Sequence, residues 1–403
     1  MKLLMLFSRK NTHLLDLAYQ HAIKKGHEVY TVNTYKEKNP YEGKSNSKIF
    51  SDPNLFIDIA QVLHVDAVVC FSTERTLERD ALIKKELEDK GITVIANPLE
   101  VIKTLAYKEE AKNFFFQNEI PTAQGSVVKN KHELEVLVKL LGFPVITKRS
   151  RFSGGKGNKI LKDHDDLYAF VNGRNDFGEK IVVEKFVHGI ELSMEIVGNN
   201  NSYIYMPLIY KGITSINDEH PTERVTYAPY DEGEIKEAIK NIACKIAKGL
   251  NLCGCVELEL VWDPHVNAMY VLEVNPRING NTLMGMAHTN ISIPKALIDM
   301  ADNTWNNSLD FVITDRFSIS IDLIPGLSKS VINKVYSLST FFKGRFNKEG
   351  QCIKFVLSGN IDDVMEDIGK VIALKVSSRL KNNSDFQELL QSLLLNKKTL
   401  LKI

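Results

Sequence analysis

The sequence predicts a chain of mixed α/β and α+β class: a Rossmann-like parallel sheet at the N-terminus, antiparallel sheets through the centre and a small α/β domain at the C-terminus. Three observations carry this expectation. From Met1 to about Ile95, short apolar runs alternate with amphipathic helical stretches, the pattern of strands laid parallel with helices on both faces. Beyond Phe143 the apolar runs are joined by hairpin signals such as Gly198-Asn199-Asn200-Asn201 and Asp263-Pro264-His265. Finally, 403 residues exceed what one ordinary core organises. Length alone suggests two or three domains, and the pattern changes after about residue 97.

Composition narrows the function. Hydrophobic residues make up 44% and charged residues 25%, the balance of a soluble globular protein. The 51 basic and 50 acidic side chains leave a net charge of +1, so no global field draws the chain to nucleic acid or to an anionic membrane. The opening MKLLMLFSRK is too short for a signal peptide and reads as the first strand. Five scattered cysteines, with no paired motif for zinc, point to buried thiols in a cytoplasmic protein.

In the first region, strands are expected at Leu3 to Phe7, Glu28 to Val32, Ala67 to Phe71 and Thr93 to Ala96, with helices at Leu14 to Lys25, Pro53 to Leu63 and Leu77 to Lys90. No G-x-G-x-x-G follows the first strand, where Ser8 to His13 stands instead, so the topology is expected without a dinucleotide. Ligands should still approach the carboxyl ends of these strands, which draws attention to Ser8, Arg9 and the loop Phe71 to Arg75. There Glu74 could hold a substrate amine, with Arg75 beside it, although an acid favoured by a helix N-terminus is the commoner reason for Glu74.

Pro98 to Leu105 reads as a connection, followed by a helix from Lys108 to Gln117, a strand at Ser126 to Val128 and a helix at His132 to Leu141. Phe143 to Lys148 is an apolar strand ending in a lysine, and a lysine there is costly unless an anion meets it. Ser153-Gly154-Gly155-Lys156-Gly157 follows at once, a loop able to wrap N–H groups around phosphate oxygens, though a plain turn when taken alone. The strand from Lys180 to Phe186 and the segment through Glu191 have two readings. One is a pair of antiparallel strands with charged outer faces. The other is an adenosine slot in which Glu191 accepts the ribose hydroxyls. Tyr203 to Ile209 is expected as a strand, Lys211 to Tyr230 as a loop carrying His220, Glu223 and Arg224 that is either near substrate or, equally well, a surface excursion, and Glu232 to Lys248 as an amphipathic helix.

Everything converges on Tyr270 to Gly280, YVLEVNPRING. A buried strand end delivers Glu273, Asn275 and Arg277 at alternate positions, hence on one face. A carboxylate, an amide oxygen and a guanidinium suit a divalent cation and a polyphosphate, although a lone E-x-N is more often a strand end with a solvated polar face. The preceding strand, Cys255 to Val261, aims Glu257 and Glu259 one way, and antiparallel pairing could set Glu257 beside Glu273. A helix expected from Asn279 to Ala287 turns free N–H groups to the same place. In the last region, strands are expected at Phe317 to Leu323, Ile353 to Leu357 and Val371 to Val376, and a helix at Phe386 to Leu395.

The ordered set Lys108, Lys148, the glycine loop, Glu184-Lys185-Phe186-Val187, Glu191, Glu257 and Glu273-x-Asn275-x-Arg277 resembles the ATP-grasp superfamily, over about Met1 to Met300. That superfamily includes D-alanine:D-alanine ligase, L-amino acid ligases, a carbamoyl-phosphate-synthetase-like group, biotin carboxylase and purine-pathway carboxylases. The resemblance implies the ATP-grasp fold, divided into an N-terminal domain at 1–97, an ATP-grasp domain at 98–308 with a small lid of about 122–187 and a larger part of about 188–308, and a C-terminal α/β domain at 309–403, with ATP and Mg²⁺ (or Mn²⁺) as cofactors. It implies that Lys108, Lys148 and Ser153, Gly154, Gly155, Lys156 and Gly157 contact phosphates, that Glu184, Lys185, Phe186 and Val187 hold adenine, and that Glu191 holds ribose. Glu257, Glu273 and Asn275 would bind the metal, while Arg277, Lys148 and Asn279 would serve the reaction. Glu74, Arg75, Arg224 and Gly280 are candidate substrate contacts. The GGKG loop is shorter than in many relatives, and Tyr107 stands where an acid is frequent.

The activity so implied joins a carboxylate to an amine, both amino acids or similar metabolites, through an acyl phosphate, in a cytoplasmic enzyme for which a homodimer is an option. Two alternatives stay open at this point: a carboxylase of the purine or biotin type using bicarbonate, and a nucleotide-binding protein without catalysis. Nothing after Gly198 resembles the segment C-S-x-Q-R-R-x-Q-K of biotin carboxylase.

Overall fold

A computed structural model describes residues 1–8, 12–34, 51–149, 157–173, 180–216, 225–230, 233–307, 310–346, 350–377 and 380. The strands β1 (Lys2–Phe7), β2 (Glu28–Asn33), β3 (Ala67–Cys70) and β4 (Thr93–Ile95) form a parallel sheet in the order β2-β1-β3-β4. Between them run α1 (Thr12–Lys24), α2 (Pro53–Val62) and α3 (Leu77–Glu88). Because side chains alternate along β1, Leu4 and Leu6 pack with Phe56 and Ile83 on one face, while Leu3 and Met5 pack with Leu14 and Ala18 on the other. The stretch expected as a bare connection contains a short helix, α4 (Leu99–Leu105), whose Val101, Ile102 and Leu105 are buried at helical spacing.

After α5 (Lys108–Gln117), a second sheet is built from β5 (Gly125–Val128), β6 (Val145–Arg149), β7 (Lys159–Leu161) and β8 (Ile181–Lys185), in the antiparallel order β5-β8-β6-β7. Its helices α6 (Lys131–Leu141) and α7 (His164–Asn172) cover one face, burying Val145, Ile181 and Val183. The alternate residues Lys148 and Glu184 therefore leave by the opposite face, a relation that alternation alone dictates.

The remaining strands make one ten-stranded sheet. They are β9 (Ile190–Asn199), β10 (Ser202–Tyr205), β11 (Ile209–Ile213), β12 (Thr226–Ala228), β13 (Gly254–Asp263), β14 (Ala268–Asn275), β15 (Asp310–Phe311), β16 (Phe317–Asp322), β17 (Phe341–Phe346) and β18 (Cys352–Gly359). The main path runs β14-β13-β9-β11-β12-β16-β18-β17, with β10 beside β9 and β15 beside β10. Helices α8 (Gly233–Gly249), α9 (Thr282–Thr289), α10 (Ile293–Ala301), α11 (Lys329–Tyr336) and α12 (Ile361–Ala373) complete the described elements. The largest core, with Ile239, Ile246, Tyr203, Val256, Ile319 and Ile368, fills one side of this sheet. α9 lies against the other side, where Leu283 and Ala287 meet Val356.

Several expectations change. β8 and β9 belong to different sheets, so the segment between them is a crossing and not a hairpin. Lys211 stands on β11, and β12 follows within the stretch expected as loop. Tyr203 to Ile209 is split between β10 and β11. The helix expected from Asn279 begins at Thr282. Val371 lies in α12, not in a strand, because Val364, Ile368 and Val371 repeat at helical spacing behind an Asn360 cap. The helix expected at Phe386 to Leu395 lies outside the described residues. Among the described residues all five cysteines are free, and no helix is long and apolar enough to cross a membrane.

Candidate active site

The site is one face of the large sheet where β9, β13 and β14 run side by side. The register sets Glu257 across from Asn275 and Glu195, and Glu259 across from Glu273 and Ser193. The expected pairing of Glu257 with Glu273 is thus displaced by two residues, and Glu259 is the acid facing Glu273. Asn275 Nδ2 lies 3.4 Å from both Glu257 Oε2 and Glu259 Oε1. Glu257 is 4% exposed, and its burial, with Glu259 beside it, pushes its carboxyl up to about 8. Burial pushes Glu259 the same way, but the Lys211 ammonium 3.0 Å away outweighs it and holds that carboxyl below the usual range.

Cations border these acids. Lys108 Nζ meets Glu273 Oε1 at 3.0 Å. Arg277 donates through Nε to Glu74 and through Nη2 to Asn275 Oδ1 at 3.3 Å. Glu74 is therefore engaged by Arg277, rather than standing open for a substrate amine. From the facing sheet, Lys148 reaches Glu184 at 2.6 Å and Lys112 reaches the same carboxylate at 2.7 Å. Burial opposes ionisation in all three, yet the pairing holds Glu184 below and Lys148 above their ordinary values, while Lys112 is lowered. A cleft lined by Lys108, Lys112, Phe115, Lys148, Glu184 and Glu273 opens between the two sheets.

The turn before α9 closes the third side. Asn281 Nδ2 donates to Glu257 Oε1 at 3.0 Å and to Ser193 Oγ at 3.2 Å. Asn279 Nδ2 donates to Glu195 Oε1 at 2.9 Å, and Asn279 Oδ1 accepts from the Asn281 N–H at 2.6 Å. Both ends of the Asn279 amide are thus spent on shaping the turn. Thr282 also donates its hydroxyl to Glu195, which is fully buried and pushed up to about 7 by that burial.

The sequence-predicted residues Lys108, Lys148, Glu184, Glu257, Glu273, Asn275, Arg277 and Asn279 are brought together. Glu191 lies on the same face of β9, beside Val261 and Gly212. Lys185 ties its ammonium back to the carbonyls of Gly142 and Phe143 at 3.1 and 2.9 Å, and the Phe186 N–H is given to Pro144 O. Those two groups brace the crossing between sheets. Gly157 and Arg75 are exposed, and Gly280 sits in the turn after Arg277. Ser153, Gly154, Gly155, Lys156, His220, Glu223 and Arg224 lie outside the described residues. Sequence reasoning missed Lys112, Glu195, Lys211 and Asn281. Only Glu259, two residues after Glu257, carried a readable signal of belonging.

The donor set fits a hard divalent cation: Glu257, Glu273 and Asn275 offer oxygen ligands, and a carboxyl driven up by burial and by a neighbouring acid is one a cation would relieve. Among the described residues, no three His, Cys, Asp or Glu side chains already converge as a cage. Lys108 and Lys211 hold two of the acids instead.

Comparison with known proteins gives the geometry a context. Residues 113–292 match the model of the ATP-grasp domain. The chain is 31% identical over 246 residues to a carbamoyl-phosphate synthase of Methanobrevibacter smithii, covering 60% of this chain and 65% of that protein. It spans 26% and 50% of two further carbamoyl phosphate synthase chains that it matches. Its fold resembles the biotin carboxylase domain of Hydrogenobacter thermophilus 2-oxoglutarate carboxylase, solved with MgADP and bicarbonate (TM-score 0.70, 17% identity, 96% of this chain and 95% of that one). It also resembles N5-carboxyaminoimidazole synthetase of Staphylococcus aureus, solved with ADP (TM-score 0.68, 16% identity, 93% and 96%). An ATP-grasp domain therefore occupies residues 113–292 of this chain, within an ATP-grasp fold.

Proposed function

We propose that the chain uses ATP to phosphorylate bicarbonate and passes the activated carboxyl to a nitrogen nucleophile, releasing ADP and phosphate. The observation that carries this reading is the set of acids Glu257, which is buried, and Glu259, which is partly buried, with Glu273 and Asn275, ringed by Lys108, Lys148, Lys211 and Arg277. The printed names of the relatives, with carbamoyl-phosphate synthases in sequence and carboxylating enzymes in fold, agree with it.

In this reading Glu257, Glu273 and Asn275 would hold Mg²⁺, which would supply charge neutralisation to the phosphates of ATP. Lys148 and Lys108 exchange their carboxylate partners for phosphate oxygens, so positive charge is already in place where negative charge builds. Arg277, fixed by Glu74 and Asn275, faces the oxyanion of the activated carboxyl, and Asn279 serves by holding its turn. Adenine lies along the crossing from Glu184 through Val187, and Glu191 meets the ribose. A bicarbonate oxygen attacks the γ-phosphorus and ADP leaves. A nitrogen then attacks the carboxyl carbon, phosphate leaves with that oxygen, and the nitrogen proton is lost to solvent or base. Excluding water matters because the mixed anhydride hydrolyses readily.

The test is ADP release with ¹⁸O-labelled bicarbonate in the presence of Mg²⁺ and candidate amines. Label in the released phosphate is expected. Release that ignores bicarbonate, with an amide product one water lighter than two amino acids, would replace this reading with amino acid ligation.

A further inference from the structure

The site described above has acids on one flank, and a cluster of cations stands on the other, contributed by strands near the C-terminus. Along β18, Ser358 and Val356 face α9: Ser358 Oγ donates to Ala287 O at 2.8 Å, and Val356 packs on Leu283 and Ala287. Two residues further back on the same face is Lys354, which alternation places toward the first turn of α9. The register sets Lys354 between Arg345 of β17 and Asp322 of β16. Arg345 reaches past this row to the turn itself. A Cβ on Gly280 would lie 3.1 Å from Arg345 Nη1, so the absence of a side chain at Gly280 is what lets the guanidinium come so close. Lys211 completes the group from β11, with Glu259 as its partner.

Three cations held on different strands repel one another, and the protein tolerates them at a cost. Burial, with Arg345 and then Lys211 adding to it against Asp322, pushes Lys354 down to about 8. Asp322 also accepts from Ser377 Oγ at 2.8 Å, so part of its capacity is spent elsewhere. An arrangement that lowers a lysine beside the mouth of a reaction site is one that an incoming anion would relieve.

We infer that Arg345 and Lys354, aided by Lys211, bind an oxyanionic group, a carboxylate or a phosphate, carried by the nitrogen substrate. The inference rests on the two-step reading above and names the class of its acceptor: an amine bearing an anionic tail. The tail anchors on the C-terminal strands. The nitrogen is thereby presented across Gly280 toward Arg277 and the activated carboxyl. Neutral amines would lack this anchor.

The full chain, saturated with MgADP so that the nucleotide positions are filled, would be titrated with inorganic phosphate and separately with acetate while thermal unfolding is followed. A saturable stabilisation by at least one probe is expected, weakened at least tenfold in apparent Kd by Arg345→Ala and by Lys354→Gln. Arg345→Lys and Lys354→Arg should retain binding, which separates lost charge from lost folding. Preference for phosphate identifies a phosphorylated acceptor, and preference for acetate a carboxylated one. Equal affinity in the charge-removing variants, or no saturable shift with either probe, overturns the inference. The MgADP shift, read in the same samples, tests the nucleotide reading by itself.

Discussion

Lys148 and Glu184 lie 2.6 Å apart on neighbouring antiparallel strands, and Lys112 comes to the same carboxylate from α5 at 2.7 Å. One acid thus serves two buried lysines beside the cleft, which leaves one positive charge in excess. Removing the acid leaves both charges without that partner, whereas a bound polyphosphate would supply another. Glu184→Gln should destabilise the chain by about 3–5 kcal/mol, the usual cost of breaking a buried pair from one side. Urea unfolding measures it, and a loss under about 1 kcal/mol would mean that solvent already screens the lysines.

Arg277 is the cation placed nearest the paired strand ends, and it is oriented by Glu74 and Asn275. Arg277→Met should lower turnover roughly 10²- to 10³-fold, the scale of losing one preorganised oxyanion donor, while MgADP binding persists. Glu74→Ala should cost far less, since Glu74 is half exposed and acts only through Arg277. Equal losses in the two variants would assign Glu74 a direct role.

Glu195 gives the ligand-free chain a pH signature. Its carboxyl is raised by burial from 4.5 to about 7. In the unfolded chain it ionises first, so the unfolded state is favoured progressively as pH climbs from the lower value to the higher. Stability should therefore fall across that window by roughly 3 kcal/mol from this group, and Glu195→Gln should flatten that part of the profile. Chemical denaturation at stepped pH reads this directly. An unchanged slope in the variant would show that the three donors on Oε1 keep Glu195 ionised throughout.

Glu257→Gln removes the raised acid while keeping its shape. Turnover should fall at least about 10²-fold and its dependence on Mg²⁺ concentration should move upward, with the unfolding midpoint retained or raised because a poorly compensated buried carboxyl is gone. Mg²⁺ titration of ADP release checks the first part and thermal melting the second. A lower midpoint with unchanged Mg²⁺ dependence would make Glu257 a structural acid.

The sequence by itself determined the strand and helix alternation of the first ninety or so residues, because local hydrophobic periodicity and terminating glycines are written residue by residue. It also determined that Glu273, Asn275 and Arg277 share a face, since that follows from strand geometry alone. Only the tertiary structure decided which residues meet. The pairing of β13 with β14 sets Glu259, not Glu257, opposite Glu273, a matter of register that a bulge after Glu259 and the hairpin turn between Asp263 and Ala268 control. Lys112, Glu195 and Lys211 look like ordinary polar residues in the sequence. Each acquires its role only from a partner 48 to 87 residues away. Likewise, no local signal in Phe341 to Leu357 shows that its strands extend the central sheet and carry Arg345 to Gly280. That placement depends on long-range strand pairing, which sequence periodicity does not encode.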